Sequence, residues 1–140
     1  MLFRSVASDL KSLIIDFRDL PMEVVFIAQD KTFTFDEEED ASSAEVLTPE
    51  VGPQLMPSVV KQLNASVSTI GNTFIRVKHI KKKDEKGKIR LIEKKQYCLR
   101  LGPNPVYVTK IRSPRKNVAP DYIVDPSYQD VMDVINGDAE

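Results

Sequence analysis

Hydrophobic positions divide the chain into a helical opening, a short strand-like run, a long polar stretch and a β-rich second half. In residues 4–19, Val6, Leu10, Leu13, Ile14 and Phe17 recur at helical spacing with charged residues between them, which predicts an amphipathic helix. Pro21 stops it, because a proline disfavours helical backbone in the residue before it. The run VVFIA at 24–28 is apolar throughout and does not alternate. It predicts a strand buried on both faces, as in a parallel α/β sheet. Helix, tight turn and buried strand together make half of a repeating α/β unit.

Periodicity is lost over residues 30–57. DEEED repels itself, ASSAE is small and polar, and Pro49, Pro53 and Pro57 interrupt any regular element. A loop longer than about 15 residues in a compact domain is usually functional or disordered, so a mobile loop is expected here. Residues 58–65 (SVVKQLNA) fit a short helix led in by Pro57. Residues 67–80 turn to strand, with Val67, Ile70, Phe74, Ile75, Val77 and Ile80 as its apolar positions. KKKDEKGK at 81–88 predicts a polar turn with Gly87 at positive φ. Strands follow at 89–101 and 106–112, split by Gly102, Pro103, Asn104 and Pro105. A final short helix is expected with Asp125 as N-cap, Pro126 in the first position and Asn136-Gly137 as its end. Its apolar face is Tyr128, Val131, Met132 and Ile135.

Composition narrows the classes. The chain has 140 residues, 41% of them hydrophobic and 29% charged, which suits a folded domain rather than a disordered chain. No run approaches the roughly 18 apolar residues of a membrane span, and the opening residues lack the pattern of a signal peptide, so a cytoplasmic location is expected. Cys98 is the single cysteine and His79 the single histidine. That excludes an internal disulfide and argues against a zinc site or a Ser-His-Asp triad. His79, among lysines, is expected to be exposed, and Cys98 to be a small buried apolar residue.

The net charge of -1 hides a division along the chain. Residues 36–50 carry seven acids and no base, residues 76–118 fifteen bases and three acids, and residues 119–140 six acids and no base. The basic block is a candidate for phosphate or nucleic-acid contact. Its plainer reading is a solvated hairpin whose lysines keep an edge strand from aggregating.

No Gly-x-x-x-x-Gly-Lys-Ser/Thr loop occurs, and no acid-terminated strand follows one, so the chain holds no phosphate cradle or evident magnesium ligand of its own. Residues 24–28 have no earlier strand to pair with. The chain therefore reads as the second half of a larger α/β domain.

The order of RDLPMEVVFIAQDK, a long loop, VGPQLMPSVVKQL, a hairpin and VYVTKIRSPR resembles the C-terminal half of phage-encoded RecA/KaiC-like P-loop ATPases of the single-strand-annealing recombinase group. The resemblance runs from about residue 4 to the final helix. It implies an α/β fold, the second half of a RecA-like sheet sandwiched by helices, with a C-terminal β-hairpin region and a short terminal helix. The expected organisation is one partial domain without the P-loop: helix and core strand over 1–29, mobile loop over 30–57, helix and hairpin strands over 58–112, and a tail over 113–140.

The resemblance also implies roles. Gln29, at the end of the core strand, would sense the nucleotide γ-phosphate, since an amide both accepts from a water and donates to a phosphate oxygen. Its plainer role is a strand-end cap. Lys110 and Arg112, on one face of a strand by alternation, would reach a neighbouring subunit's ATP and stabilise charge during phosphoryl transfer. Otherwise they are an exposed cationic strand end, with Arg115 and Lys116 as further solvated charge. ATP and magnesium are the implied cofactors, requiring an N-terminal half or a neighbouring subunit. The implied partners are further copies or that missing half, and single-stranded DNA; no membrane is implied, and the location would be the bacterial host cytoplasm.

The family's DNA-binding loop corresponds to residues 30–57. There DEEED would repel a phosphate backbone, although Phe33 and Phe35 are of a type that stacks on bases. The hairpin residues Arg76, Lys78, Lys81, Lys82 and Lys83 are better candidates for phosphate contact. They also sustain a second reading from a different class, a non-enzymatic nucleic-acid- or partner-binding module using the basic hairpin 76–95.

Overall fold

The computed structural model describes residues 2–33, 50–112 and 119–138. Among the described residues the fold is mixed α/β, with three helices and antiparallel sheets. It divides into two compact units: residues 1–70 with 104–108, and residues 71–103 with 109–140.

In the first unit, α1 (Leu2–Arg18) packs against α2 (Pro57–Ser66). Pro57 sits in the first turn of α2, where a missing N–H costs nothing. The core is Ile14, Val59 and Leu63, with Ala7, Leu10, Leu55, Met56 and Val67 packed around it. The apolar stripe of α1 is therefore split. Leu10 and Ile14 face α2, whereas Val6, Leu13 and Phe17 remain exposed.

Residues 23–29 form no strand, a correction to the expected buried β-run. Val25 is 79% and Ile27 94% exposed. The physical reason is pairing: a strand buried on both faces needs hydrogen-bonded neighbours, and none of the described residues supplies one. Only Phe26 finds aromatic company, an edge-on contact with Phe17 at 6.4 Å.

The expected loop over 30–57 begins and ends in regular structure. β1 (Asp30–Phe33) pairs antiparallel with β2 (Glu50–Pro53), Asp30 opposite Pro53 and Phe33 opposite Glu50. Val51 also exchanges backbone hydrogen bonds with residues 106 and 108 and forms a parallel bridge with Tyr107. The Asn104 side chain accepts from the Val106 and Tyr107 amides, which shapes that segment. The DEEED stretch and Phe35 lie outside the described residues. A two-residue strand, β3 (Thr69–Ile70), completes the unit.

The second unit is built on a long hairpin. β4 (Asn72–Lys83) pairs with β5 (Ile89–Arg100) along its whole length, from Asn72 opposite Arg100 to Lys83 opposite Ile89. The strand runs three residues further than expected, to Lys83, and the turn is correspondingly tighter. Asp84 shapes it, its carboxylate accepting from the Lys86 and Lys88 amides, and Gly87 takes φ 77°, a backbone that favours glycine.

After the hairpin, the expected strand over 106–112 shrinks to β6 (Lys110–Ile111). The sequence pattern also missed β7 (Tyr122–Val124), which joins the base of β5 with Tyr122 opposite Arg100. Gly102 is buried here. A Cβ on it would stand 2.9 Å from both the Asp121 Cα and the Pro120 carbonyl oxygen, so this approach requires glycine.

α3 (Tyr128–Asn136) is capped two residues later than expected. The Ser127 hydroxyl accepts from the Asp130 amide and the Asp130 carboxylate accepts from the Ser127 amide, a reciprocal capping box. Asp125 is used otherwise. It lies in the left-handed region at φ 45°, and it donates its amide to the Tyr97 carbonyl while its carboxylate accepts from the Tyr97 amide. Gly137, at φ 75°, ends the helix as expected. Val134 is the buried residue of α3, whereas Tyr128 is exposed. Cys98 and Leu101 complete the buried apolar residues of this unit.

Candidate functional site

Gln29 belongs to the first unit and Lys110 and Arg112 to the second. Gln29 directly follows the exposed apolar run and directly precedes β1. Its carbonyl accepts a 2.7 Å hydrogen bond from the Gln54 amide, so the β1–β2 ladder fixes its backbone while its side chain stays in solvent. An amide so placed is available to a ligand that approaches the end of residues 24–28.

Lys110 is half-buried and Arg112 exposed. Burial, and then the positive charge of Arg112, lower the Lys110 pKa from its ordinary value. Lys110 is thus the partly sheltered member of the pair and Arg112 the solvent-facing one. Arg115 and Lys116 lie outside the described residues.

The hairpin brings together some of the expected phosphate contacts and separates others. Partners in the ladder share a face, and successive residues of a strand point to opposite faces. Arg76, Lys78 and Lys82 therefore lie on one face, whereas Lys81 and Lys83 lie on the other. Lys94 stands opposite Lys78, and Arg90 opposite Lys82. Both join the first face; they lie within the expected basic hairpin 76–95 but were not among its named phosphate contacts. The signal that would have found them is the turn: once Gly87 fixes the register, alternation assigns every residue of both strands to a face.

The first face holds Arg76, Lys78, Lys82, Arg90 and Lys94, all exposed, and no acid within the ladder. The nearest carboxylate is Asp84 in the turn, 3.5 Å from Arg90. At its base the face turns aromatic. The Tyr122 hydroxyl accepts from Arg76, the Arg76 guanidinium lies 5.7 Å from the Tyr122 ring centre, and Arg100 lies 4.4 Å over the Phe74 ring. Phe74 and Tyr122 meet edge-on at 5.6 Å.

The opposite face differs in kind. It pairs His79 with Glu93 at 4.0 Å, carries Lys81, Lys83 and Lys95, and exposes Ile75, Val77, Ile89, Leu91 and Tyr97. Thr73, Ile75, Tyr97 and Leu99 line an open apolar depression there with Pro126.

Among the described residues, no group of three or more His, Cys, Asp or Glu side chains is placed to hold a metal ion. No described helix is long and apolar enough to cross a membrane. No family model, curated protein or solved structure matches the chain.

Proposed function

We propose that this chain is the C-terminal part of a phage RecA-like, ATP-binding protein of DNA recombination or annealing. It contributes a nucleotide sensor, Gln29, and a pair of cations, Lys110 and Arg112, that act on a neighbouring subunit's ATP. The observation that carries the reading is the exposed apolar run at 24–28, with Gln29 fixed at its end. Large exposed apolar patches mark interaction surfaces. A continuous β-branched run is the composition of a central parallel strand, and ligands of open α/β sheets bind beyond the carboxyl ends of such strands. The neighbouring exposed side chains Leu13, Phe17, Leu20 and Met22 extend the same apolar surface in sequence.

Lys110 supports the second element of the reading. An ammonium weakened by burial and by Arg112 is relieved by a bound polyphosphate, and that relief is largest where charge builds up during phosphoryl transfer. ATP and magnesium would enter with the partner that carries the phosphate loop and the magnesium-binding acid. The chain's own residues would sense the γ-phosphate and balance its charge.

The test is steady-state ATP hydrolysis by this chain mixed with a polypeptide carrying a P-loop and the first half of a RecA-like domain. The mixture is expected to hydrolyse ATP when neither component does so alone. Lys110→Ala with Arg112→Ala is expected to lower kcat by about 10³-fold, as for other cations supplied in trans. Hydrolysis that is indifferent to both substitutions would end the reading.

A further inference from the structure

We propose that the face of the β4–β5 hairpin formed by Arg76, Lys78, Lys82, Arg90 and Lys94 binds the phosphate backbone of a single-stranded nucleic acid, with Tyr122 at its base stacking on a nucleobase. This face needs neither ATP nor a second half of the domain, so its failure and the failure of the nucleotide reading are separable.

The register carries the argument. Lys78 lies directly opposite Lys94, and Lys82 directly opposite Arg90. Like charges directly opposite one another destabilise a sheet, so the fold itself gains nothing from either pair. Asp84 at 3.5 Å balances Arg90, and an external polyanion would supply counter-charge to Lys78, Lys82 and Lys94. On the other face the equivalent ladder step pairs His79 with Glu93, the arrangement expected where a hairpin only has to remain soluble. Protection of an edge strand accounts for the lysines, three on each face, but not for the two arginines, Arg76 and Arg90, and the lack of any acid in the ladder of the first face.

Spacing and shape favour a linear ligand. Arg76 and Lys78 stand about 6.8 Å apart along β4, twice the rise per residue, and the Lys78–Lys94 and Lys82–Arg90 steps are about 13.6 Å apart. These cations form one track across both strands, interrupted by a single apolar step. Between the Lys78–Lys94 and Lys82–Arg90 steps sits the exposed apolar pair Ile80 and Ile92, and Tyr122 lies beside Arg76 at the base. A cationic track with an aromatic platform is how proteins hold single strands, whose base faces are open; a duplex hides those faces.

The test is anisotropy of a labelled oligothymidylate titrated with the 140-residue chain at several salt concentrations, with a duplex of equal length and polyglutamate as competitors. Two double variants are compared, Lys78→Gln with Lys94→Gln, and Lys81→Gln with Lys95→Gln. They remove the same charge from opposite faces, and thermal melts establish that both fold. The first is expected to weaken binding about 10-fold and to lower the slope of log affinity against log salt by about 1.4, two phosphate contacts at roughly 0.7 each. The second is expected to stay within about two-fold of the parent. Tyr122→Leu is expected to weaken single-strand binding while leaving the salt slope unchanged. Equal losses from the two double variants, tighter binding of the duplex, competition by polyglutamate equal to that by oligothymidylate, or no salt-dependent binding at all would each overturn the proposal.

Discussion

Lys110 is the residue at which local chemistry is most legible. Burial and Arg112 both lower its pKa, so the folded chain holds that proton less tightly than the unfolded chain. Between the folded value and the ordinary lysine value, the unfolded state binds more protons. Stability must therefore rise with pH across that window, and below it the charged lysine disfavours the fold. Lys110→Met is expected to be at least as stable as the parent at pH 7 and to lose part of the parent's gain as the pH rises toward the lysine range. Urea denaturation at a series of pH values measures both. A variant less stable at pH 7 would mean that Lys110 is held by favourable contacts instead. The sequence placed Lys110 and Arg112 on one face by alternation, but it held no sign that one would be half-buried and the other exposed, because burial depends on residues distant in sequence.

At the scale of elements, what the sequence made legible follows from how local each signal is. α2 begins at Pro57 as its proline indicated, and the Gly87 turn and the Gly137 helix end fall where glycine makes a left-handed backbone cheap. The N-terminus of α3 was misplaced because Asp125, Ser127 and Asp130 all have capping chemistry. The choice was made by Tyr97, whose backbone takes up Asp125 and leaves Ser127 to cap. β7 and the failure of residues 24–28 to form a strand were not legible at all, since a strand exists only through its partners. The buried core of the first unit is correspondingly small, resting on Ile14, Val59 and Leu63. Leu63→Ala is expected to cost about 2–5 kcal/mol, and thermal melting followed by far-ultraviolet circular dichroism checks it. Loss of less than 1 kcal/mol would show that α1 and α2 are not held together by this cluster.

Across the whole molecule, charge and hydrophobicity are left unbalanced in different places. The first unit exposes apolar side chains that a sheet would cover, and the second exposes a cationic face with no carboxylate in its ladder. Under the two proposals above, each surface meets a ligand outside the chain: strands of a completed sheet in one case, a phosphate backbone in the other. The near-zero net charge conceals this, because the acidic stretch at 36–50 and the acidic end at 119–140 offset the basic block only in the total. Residues 24–28 form no strand in the chain alone, and under the proposed function they become one only when a RecA-like first half supplies neighbours. Hydrogen exchange at these backbone amides, measured in the chain alone and then mixed with a P-loop-bearing first half of a RecA-like domain, tests it most directly. Fast exchange is expected in the isolated chain, with slowing of at least about 100-fold at 24–28 in the mixture; fast exchange in both would rule out strand formation there.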